Sequence, residues 1–344
     1  MTGPAAARTV SVLTCLFGLA VLAYAFRGAI RVFPGAAALA AVLQVLAGGL
    51  GFVLIRRFRP VRRPPGRASV ACLAWGATAA IGCALLANEG LLGVWAKTAG
   101  VRFASDWAAA LSAPVNEEIL KVIGVGLLVL AAPATTRGPL DGLVYGALTG
   151  LGFQVVENFT YALNQIVQSG ATAPHLAVMQ SFFVRVGLTA LGSHWAMSAV
   201  AGTAVGFLAA RGTRGIPQAV ALLAAALAMH AFFDAPLLVF PAGFLVKVAI
   251  DFAVVAVLFL ALRRGYLDRA RRVLAADVAA GEVTPHEAMS LLKRRARRLA
   301  LNRTPQVLRA AAERRQRDLL DAVDRRAADP MALAKARHPS SQPG

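Results

Sequence analysis

Charged and imidazole side chains recur inside the apolar stretches of this sequence, in groups with helical spacing. Glu117, Glu118 and Lys121 lie in APVNEEILK, Glu157 and Asn158 in GLGFQVVEN, His194 in GSHWAMSAVAG, and His230 and Asp234 in MHAFFDAP. Lys121 follows Glu117 by four residues and Glu118 by three, so on a helix its ammonium can lie against either carboxylate. His230 and Asp234 are also four apart, and an aspartate there can accept one ring N–H and fix the imidazole tautomer. Carboxylates and imidazoles at one site suit hydrolysis. A glutamate can act as general base on water; alternatively, Glu and His ligands hold a metal that acidifies its bound water. No Ser or Cys nucleophile with a nearby base stands out: Ser193 and His194 are neighbours in sequence, and such neighbours do not face each other on a helix. HExxH is absent, so the soluble zincin pattern does not apply. Cys15, Cys72 and Cys83 sit in apolar runs without a CxxC spacing, which leaves no disulfide framework and no cysteine metal site.

The surrounding composition explains why these groups stand out. Of 344 residues, 58% are hydrophobic and 15% charged, and the mean hydropathy is +0.62; soluble domains run at about 45–50% apolar and about 25% charged. That excludes an ordinary soluble enzyme and a disordered chain. The net charge of +19 resembles that of a nucleic-acid binder, but its distribution does not: 19 of the 36 Lys and Arg follow residue 262, and six more lie between Arg56 and Arg67. Basic loops between apolar runs mark a polytopic membrane protein, and no nucleic-acid partner is expected. The predicted fold is an all-α bundle of about eight transmembrane spans, at 9–26, 35–55, 68–88, 107–132, 140–163, 189–210, 216–236 and 242–262. Each is close to the ~20 residues needed to cross a ~30 Å hydrocarbon core. The shorter piece 176–188 reads as a re-entrant or interfacial helix; its Arg185 is unassigned, free to snorkel or to pair with Glu157.

The loop RRFRPVRRPPGR places residues 56–67 in the cytoplasm. Arg137, Arg211, Arg214, Arg263 and Arg264 then fall on the same side, and both termini are expected to be cytoplasmic. Ala23-Tyr24-Ala25 matches a signal-peptide cleavage pattern, but the first run reads as an uncleaved span. At 1.5 Å per residue, Glu117 lies roughly 15 Å from the outer end of its span, Glu157 roughly 26 Å from its inner end, His194 roughly 8 Å below the outer end and His230 roughly 21 Å above the inner end. All four groups can therefore meet in the outer half of the bilayer. A charge at a helix centre costs ~2.5–3.5 kcal/mol, so four such groups on four helices point to one functional polar site. Lys247 and Asp251, also four apart, read as structural. Gly142, Gly146 and Gly150 form a small-xxx-small ladder that permits close helix approach, extended by Gly152, and Asp141 reads as a helix cap.

Residues 265–344 are expected to form a separate, soluble, basic, helical tail. Thr284, Pro285 and Glu287 make a capping box with Pro at the first helical position, and Thr304-Pro305 repeats the signal, predicting helices at 285–302 and 305–327. Lys293, Arg294, Arg295, Arg297 and Arg298 would be attracted to anionic lipid headgroups. His286 reads as exposed and His338 as part of a disordered Pro/Ser tail. The predicted units are thus 1–264, a membrane domain holding the site, and 265–344.

Taken in order, the EE-x-x-K of Glu117–Lys121, the DG-x-x-YG-x-x-x-G-x-GF-x-x-x-EN of Asp141–Asn158, the lone His194 and the H-x-x-x-D of His230–Asp234 resemble the PrsW family of bacterial intramembrane proteases. That family is in turn similar to the CAAX prenyl endopeptidase and bacteriocin-processing superfamily. The resemblance covers roughly 107–240. It implies a multi-pass protein of the bacterial plasma membrane that cuts membrane-anchored substrates, of the anti-sigma-factor type, on their extracytoplasmic side. It further implies that Glu117 or Glu118 activates water and that Glu157, His194 and His230 bind a metal or orient water and oxyanion. Asp234 would support His230, Lys121 would balance the carboxylate pair, and Asn158 would assist. Zinc is the ion the resemblance suggests, and a metal-free glutamate/histidine mechanism would use the same positions. Two other readings of the intramembrane charges remain: an ion-coupled transporter, which lacks the expected repeat between halves, and a non-catalytic scaffold whose tail recruits a partner.

Overall fold

A computed structural model describes residues 2–238, 240 and 242–328, and the described residues contain helices and no strand. In order, the helices are α1 (Gly3–Val32), α2 (Pro34–Ile55), α3 (Gly66–Trp75), α4 (Ile81–Thr98), α5 (Val101–Ala131), α6 (Pro139–Gln168), α7 (Pro174–Phe182), α8 (His194–Arg211), α9 (Ile216–Asp234), α10 (Gly243–Ala279), α11 (Pro285–Leu291), α12 (Arg294–Arg303) and α13 (Gln306–Ala328). Proline supplies many of the boundaries. It opens α2, α6, α7 and α9 within their first two positions, where its missing N–H costs nothing. Pro60, Pro64 and Pro65 keep residues 56–65 of the basic loop out of helix, and α3 begins at Gly66.

Among the described residues, five helical segments are long and apolar enough to cross a membrane: Gly3–Val32, Pro34–Ile55, Gly66–Thr98, Ala190–Asp234 and Gly243–Ala279. Gly66–Thr98 is α3 and α4 joined by a π turn at Gly76–Ala80. Ala190–Asp234 holds α8 and α9, which reverse at Gly212–Gly215 and are too much for one crossing. The helices α5 and α6 are long enough, at 31 and 30 residues, but are not in this set. One carries Glu117, Glu118 and Lys121, and the other Asp141, Glu157, Asn158 and its glycines. Charged and polar side chains lower their hydropathy, those of the candidate site among them.

The centre of the bundle is the crossing of α6 on α8. Gly142, Gly146 and Gly150 lie against Gly202, Ser198 and His194, with backbone facing backbone, so that a methyl group on Gly146 would collide with the Ser198 carbonyl. No side chain separates the two helices there, which is the close approach that small residues allow. Gly152 serves a different neighbour, the Leu73 carbonyl of α3, while Gly76 meets the Thr149 carbonyl of α6; the π turn begins at this second crossing. Around the glycines pack Leu143, Val144, Leu148, Met197, Val200 and Ala226, all buried.

Beyond the bundle, α10 continues without a break from its apolar half into the polar region, and α11 to α13 fold back on it. Tyr266, Ala270, Val273 and Leu274 of α10, Leu291 of α11 and Val323 and Ala327 of α13 enclose a small core with Val61 and Leu140. At its edge Asp324 receives hydrogen bonds from Arg59 (2.6 Å), Arg137 and the Tyr266 hydroxyl. Arg59 also pairs with Asp141 at 2.9 Å, and Asp141 caps by accepting the Arg137 backbone N–H at 3.0 Å. Burial alone would lower the Arg59 pKa, but the Asp141 and Asp324 charges outweigh it and hold it above its usual value. The expected capping box of Thr284 and Glu287 is present. The expected helix 285–302 instead breaks at Leu292–Lys293, where Lys293 is extended. Five cations within six residues repel along a continuous helix, and the break lets the buried Arg297 reach the carbonyls of Leu291 and Val61. Residues 329–344, including His338, lie outside the described residues.

Replacing Asp324 by Ala leaves Arg59 and Arg137 short of a partner. Truncating one member of a buried charge network costs about 2–5 kcal/mol. The expected result is a folded membrane bundle whose tail trypsin removes at a lower protease concentration than in the wild type, read from the fragment masses. Unchanged tail resistance would show that the apolar core alone holds α13.

Candidate active site

The α6–α8 crossing sets the site. Packing of the His194 carbonyl against Gly150 brings the first residue of α8 to the level of Glu157, two turns further along α6. His194 follows Ser193 in extended conformation and starts the helix, so it sits at an N-terminus rather than inside a span. His194 Nε2 lies 2.8 Å from Glu157 Oε2. His230 of α9 is fully buried, its ring edge-on to that of His194 at 5.0 Å. Its Nδ1 lies 3.2 Å from Glu118 Oε1.

Each imidazole is therefore held from behind by its own carboxylate, and its remaining nitrogen faces inward. There the two nitrogens meet Glu117: His194 Nδ1 and His230 Nε2 are each 3.7 Å from Glu117 Oε2. Glu117, His194 and His230 form a buried group whose donor atoms all lie within 4.8 Å of one another. Tetrahedral ligands at ~2.0–2.1 Å from a zinc ion stand about 3.3 Å apart, so these donors fit a divalent ion in kind, and the 3.7 Å separations from Glu117 would contract around it. A carboxylate bonded to the far nitrogen of each ring is the arrangement that orients metal-binding histidines. Formal charge agrees: Glu117, Glu118, Glu157 and Asp234 face two cations, Lys121 and Arg185, leaving two negative charges for a divalent ion.

The surrounding residues separate the two adjacent glutamates. Glu118 is wholly buried and accepts from Lys121 Nζ at 2.9 Å and the Ser198 hydroxyl at 2.9 Å besides His230. Glu117 accepts from Asn88 Nδ2 at 3.0 Å and Lys121 Nζ at 3.3 Å, and it lines a cavity of about 670 Å³ between α1, α4, α5 and α6 that also reaches Glu157, His194, Asp234 and Arg185. Lys121 is further fixed over the Phe153 ring at 3.9 Å and stands 3.0 Å from His194 Nδ1. Arg185 pairs with Glu157 and donates to Asn158 Oδ1 at 2.9 Å. Asn158 is thus a support for Arg185, bonded in turn to Gln44 at 3.4 Å.

All six expected site residues and Lys121 thus converge on one place. The carboxylate grouped with both imidazoles is Glu117, whereas Glu157 stands behind His194, and Glu118 holds the His230 nitrogen that the i, i+4 spacing assigns to Asp234. Asp234 lies 3.4 Å from His230 Nε2, on the cavity side. Asn88 and Ser198 escape a sequence reading, because neutral polar residues in apolar helices are common. The Ser198 position, one turn after His194, is the signal that was there to use. Lys247 does not pair with Asp251: its ammonium caps the end of α9, donating to the carbonyls of Phe233 (3.1 Å) and Ala235 (2.6 Å). Both Asp251 oxygens are buried without a hydrogen bond among the described residues.

Comparison with curated proteins and with solved structures gives no match. The family model described as PrsW family intramembrane metalloprotease matches residues 64–262, more than half of the chain and all of the residues converging here. Glu117, His194 and His230, at the meeting of α5, α8 and α9, are a group that could hold a metal ion, and this chain belongs to the PrsW family of intramembrane metalloproteases.

Proposed function

We propose that the chain is a bacterial plasma-membrane endopeptidase that hydrolyses peptide bonds of membrane-anchored proteins, of the anti-sigma-factor type, near the outer face of the bilayer. The observation that carries this reading is the pair of imidazoles, each backed by a carboxylate and turned on the one glutamate, Glu117, that also faces the cavity. In this reading eight spans cross the membrane, α5 and α6 among them, with both termini cytoplasmic. The basic 56–67 loop and tail then lie against anionic inner-leaflet headgroups.

Glu117, His194 and His230 would hold a zinc ion, which supplies Lewis-acid polarisation and an acidified water. The chain's own residues do the rest. Glu157 accepts the Nε2–H of His194 and Glu118 the Nδ1–H of His230, which keeps both inward nitrogens as lone-pair donors. Lys121 offsets the buried negative charge between Glu117 and Glu118. Asp234, exposed to the cavity beside His230, takes up the proton from water and returns it to the leaving amine. Arg185 and Asn158 hold Glu157 in place, and the apolar cavity wall of Val21, Ala25, Leu85 and Leu92 accepts an extended apolar segment. Lys121 Nζ at 3.0 Å from His194 Nδ1 favours a second reading, in which Glu117 itself is the base and the ammonium stands where a metal would. Dialysis of the purified enzyme against a chelator separates the two: activity lost and restored by Zn²⁺ supports the first, and activity retained supports the second.

The function is tested by comparing protein N-termini in membrane and external fractions of cells carrying the wild type or His194→Ala at matched expression. New N-termini beside transmembrane segments, present only with the wild type, are expected. Identical profiles across envelope stresses would overturn the peptidase reading in favour of a scaffold or transporter.

A further inference from the structure

One turn along α13 from Asp324, the 56–67 loop and the helices α12 and α13 line an open cavity of about 410 Å³. Arg62, Arg63, Arg294, Arg297 and Arg317 line it, with Asp321 the acidic group on its wall. Two of these arginines are committed: Arg62 pairs with Asp321, and Arg297 donates to the Leu291 and Val61 carbonyls. Arg63 and Arg317, which are exposed, and the partly buried Arg294 have no hydrogen bond or ion pair among the described residues, and within Arg294 the Nη2 atom is buried without an acceptor. An orphaned guanidinium nitrogen of this kind is costly unless something binds it.

The helix that carries Arg294 adds a second, independent demand. The ten-residue α12 has no side-chain cap and no acidic residue in its first turn, and it opens on Lys293, Arg294 and Arg295. Its unpaired N–H groups and the positive end of its dipole therefore meet cations, the reverse of the favourable arrangement. Burial, followed by the charges of Arg63 and Arg57, pushes the Arg294 pKa below its usual value. A single anion would satisfy the helix end, the orphan nitrogen and the like-charge crowding together.

We propose that this cavity is a binding site for a phosphate group. Arginine forks and a helix N-terminus are the two protein elements best matched to phosphate oxygens. The position points to a phosphate carried by a lipid. The loop joins two apolar helical segments of membrane-spanning length, and a mostly apolar groove of about 650 Å³ begins beside the cavity, lined by Leu267, Leu274, Val278 and Leu292 with Arg263 and Arg271 also on its wall. Pro60 and Lys293 of that groove are chain neighbours of Val61 and Arg294, so a headgroup phosphate and an acyl chain fit the two spaces side by side. Phosphate binding here ties the second loop to α12 and α13 without touching the catalytic residues.

The test uses the full-length protein in a neutral detergent, as wild type, as the cavity variant Arg63→Gln/Arg294→Gln/Arg317→Gln, and as a charge-matched control, Arg298→Gln/Arg309→Gln/Arg314→Gln. Native mass spectrometry counts retained phosphatidylglycerol against phosphatidylcholine, and thermal melts are followed with inorganic pyrophosphate. Selective phosphatidylglycerol retention that the cavity variant weakens by about tenfold or more, and the control does not, supports a lipid phosphate. Stabilisation by pyrophosphate, confined to the wild type and control, supports the site with a soluble phosphate as its ligand. Equal losses in both variants would reduce the effect to diffuse surface charge and overturn the proposal, as would no selective binding by the wild type.

Discussion

Glu117→Gln is expected to remove cleavage while leaving the protein folded, with turnover falling by about 10²–10⁴-fold, the usual contribution of a positioned carboxylate. Glutamine has nearly the same shape and keeps an acceptor for Asn88, which now bonds Glu117 Oε1 at 3.0 Å. What it loses is the charge at Oε2, the atom that His194 and His230 approach equally. The measurement is a cleavage rate in detergent beside a thermal midpoint, so that lost chemistry is distinguished from lost structure. Glu118→Gln is the internal comparison. Glu118 is behind His230, out of the cavity, and its three partners fix the ring rather than meet a substrate. It should show a smaller rate loss and a larger stability loss. If Glu118→Gln proved the more damaging to turnover at equal stability, the roles of the two glutamates would have to be exchanged.

Lys121→Met is expected to have the largest effect on stability. Its ammonium is buried, bonded to Glu117 and Glu118, and lies over Phe153. Removing one partner from a buried ionic cluster leaves charge uncompensated, at about 3–5 kcal/mol, a large share of the 5–15 kcal/mol that holds a typical domain together. Little Lys121→Met protein should elute as a monodisperse peak after detergent extraction. Adding Glu118→Gln should recover part of the loss, because removing both charges costs less than removing one. A double variant worse than the single by the full cost of Glu118→Gln would mean that the lysine acts through packing alone.

The site was legible in the sequence because ionisable groups in apolar helices are expensive and hence rare. Glu117, Glu118, Lys121, Glu157, His194, His230 and Asp234 could be picked out one by one on that ground. The glycine ladder of α6 was equally visible, although its partner, α8, was not, since small residues are spread through every helix. Finer geometry was hidden for reasons of the same kind. Adjacent glutamates point about 100° apart on a helix, but spacing does not say which faces a cavity. The bond of Asn88 to Glu117 crosses between helices and leaves no local pattern, whereas Arg185 takes one of the two options its sequence left open, the pairing with Glu157. The charged groups of α5 and α6 set these two helices apart from the five apolar segments, so their place among the expected spans rests on their length and on the loop charges alone. In the tail the capping box was local and readable, whereas the break before α12 depends on where Arg297 can find carbonyls.

The bond between Arg59 and Asp324 spans 265 residues. At the usual 5–20 residues per second, roughly ten seconds to a minute of translation separates the two. Through that interval Arg59 has Asp141 as partner only once α6 has emerged, and α13, the last described helix to be made, closes the knot. The Asp324 network is thus the last of the described contacts to form, and a nascent chain that has not yet reached α13 presents unpaired arginines and a bare Tyr266–Leu274 surface. A single carboxylate arriving late thereby decides when Arg59 and Arg137 are neutralised.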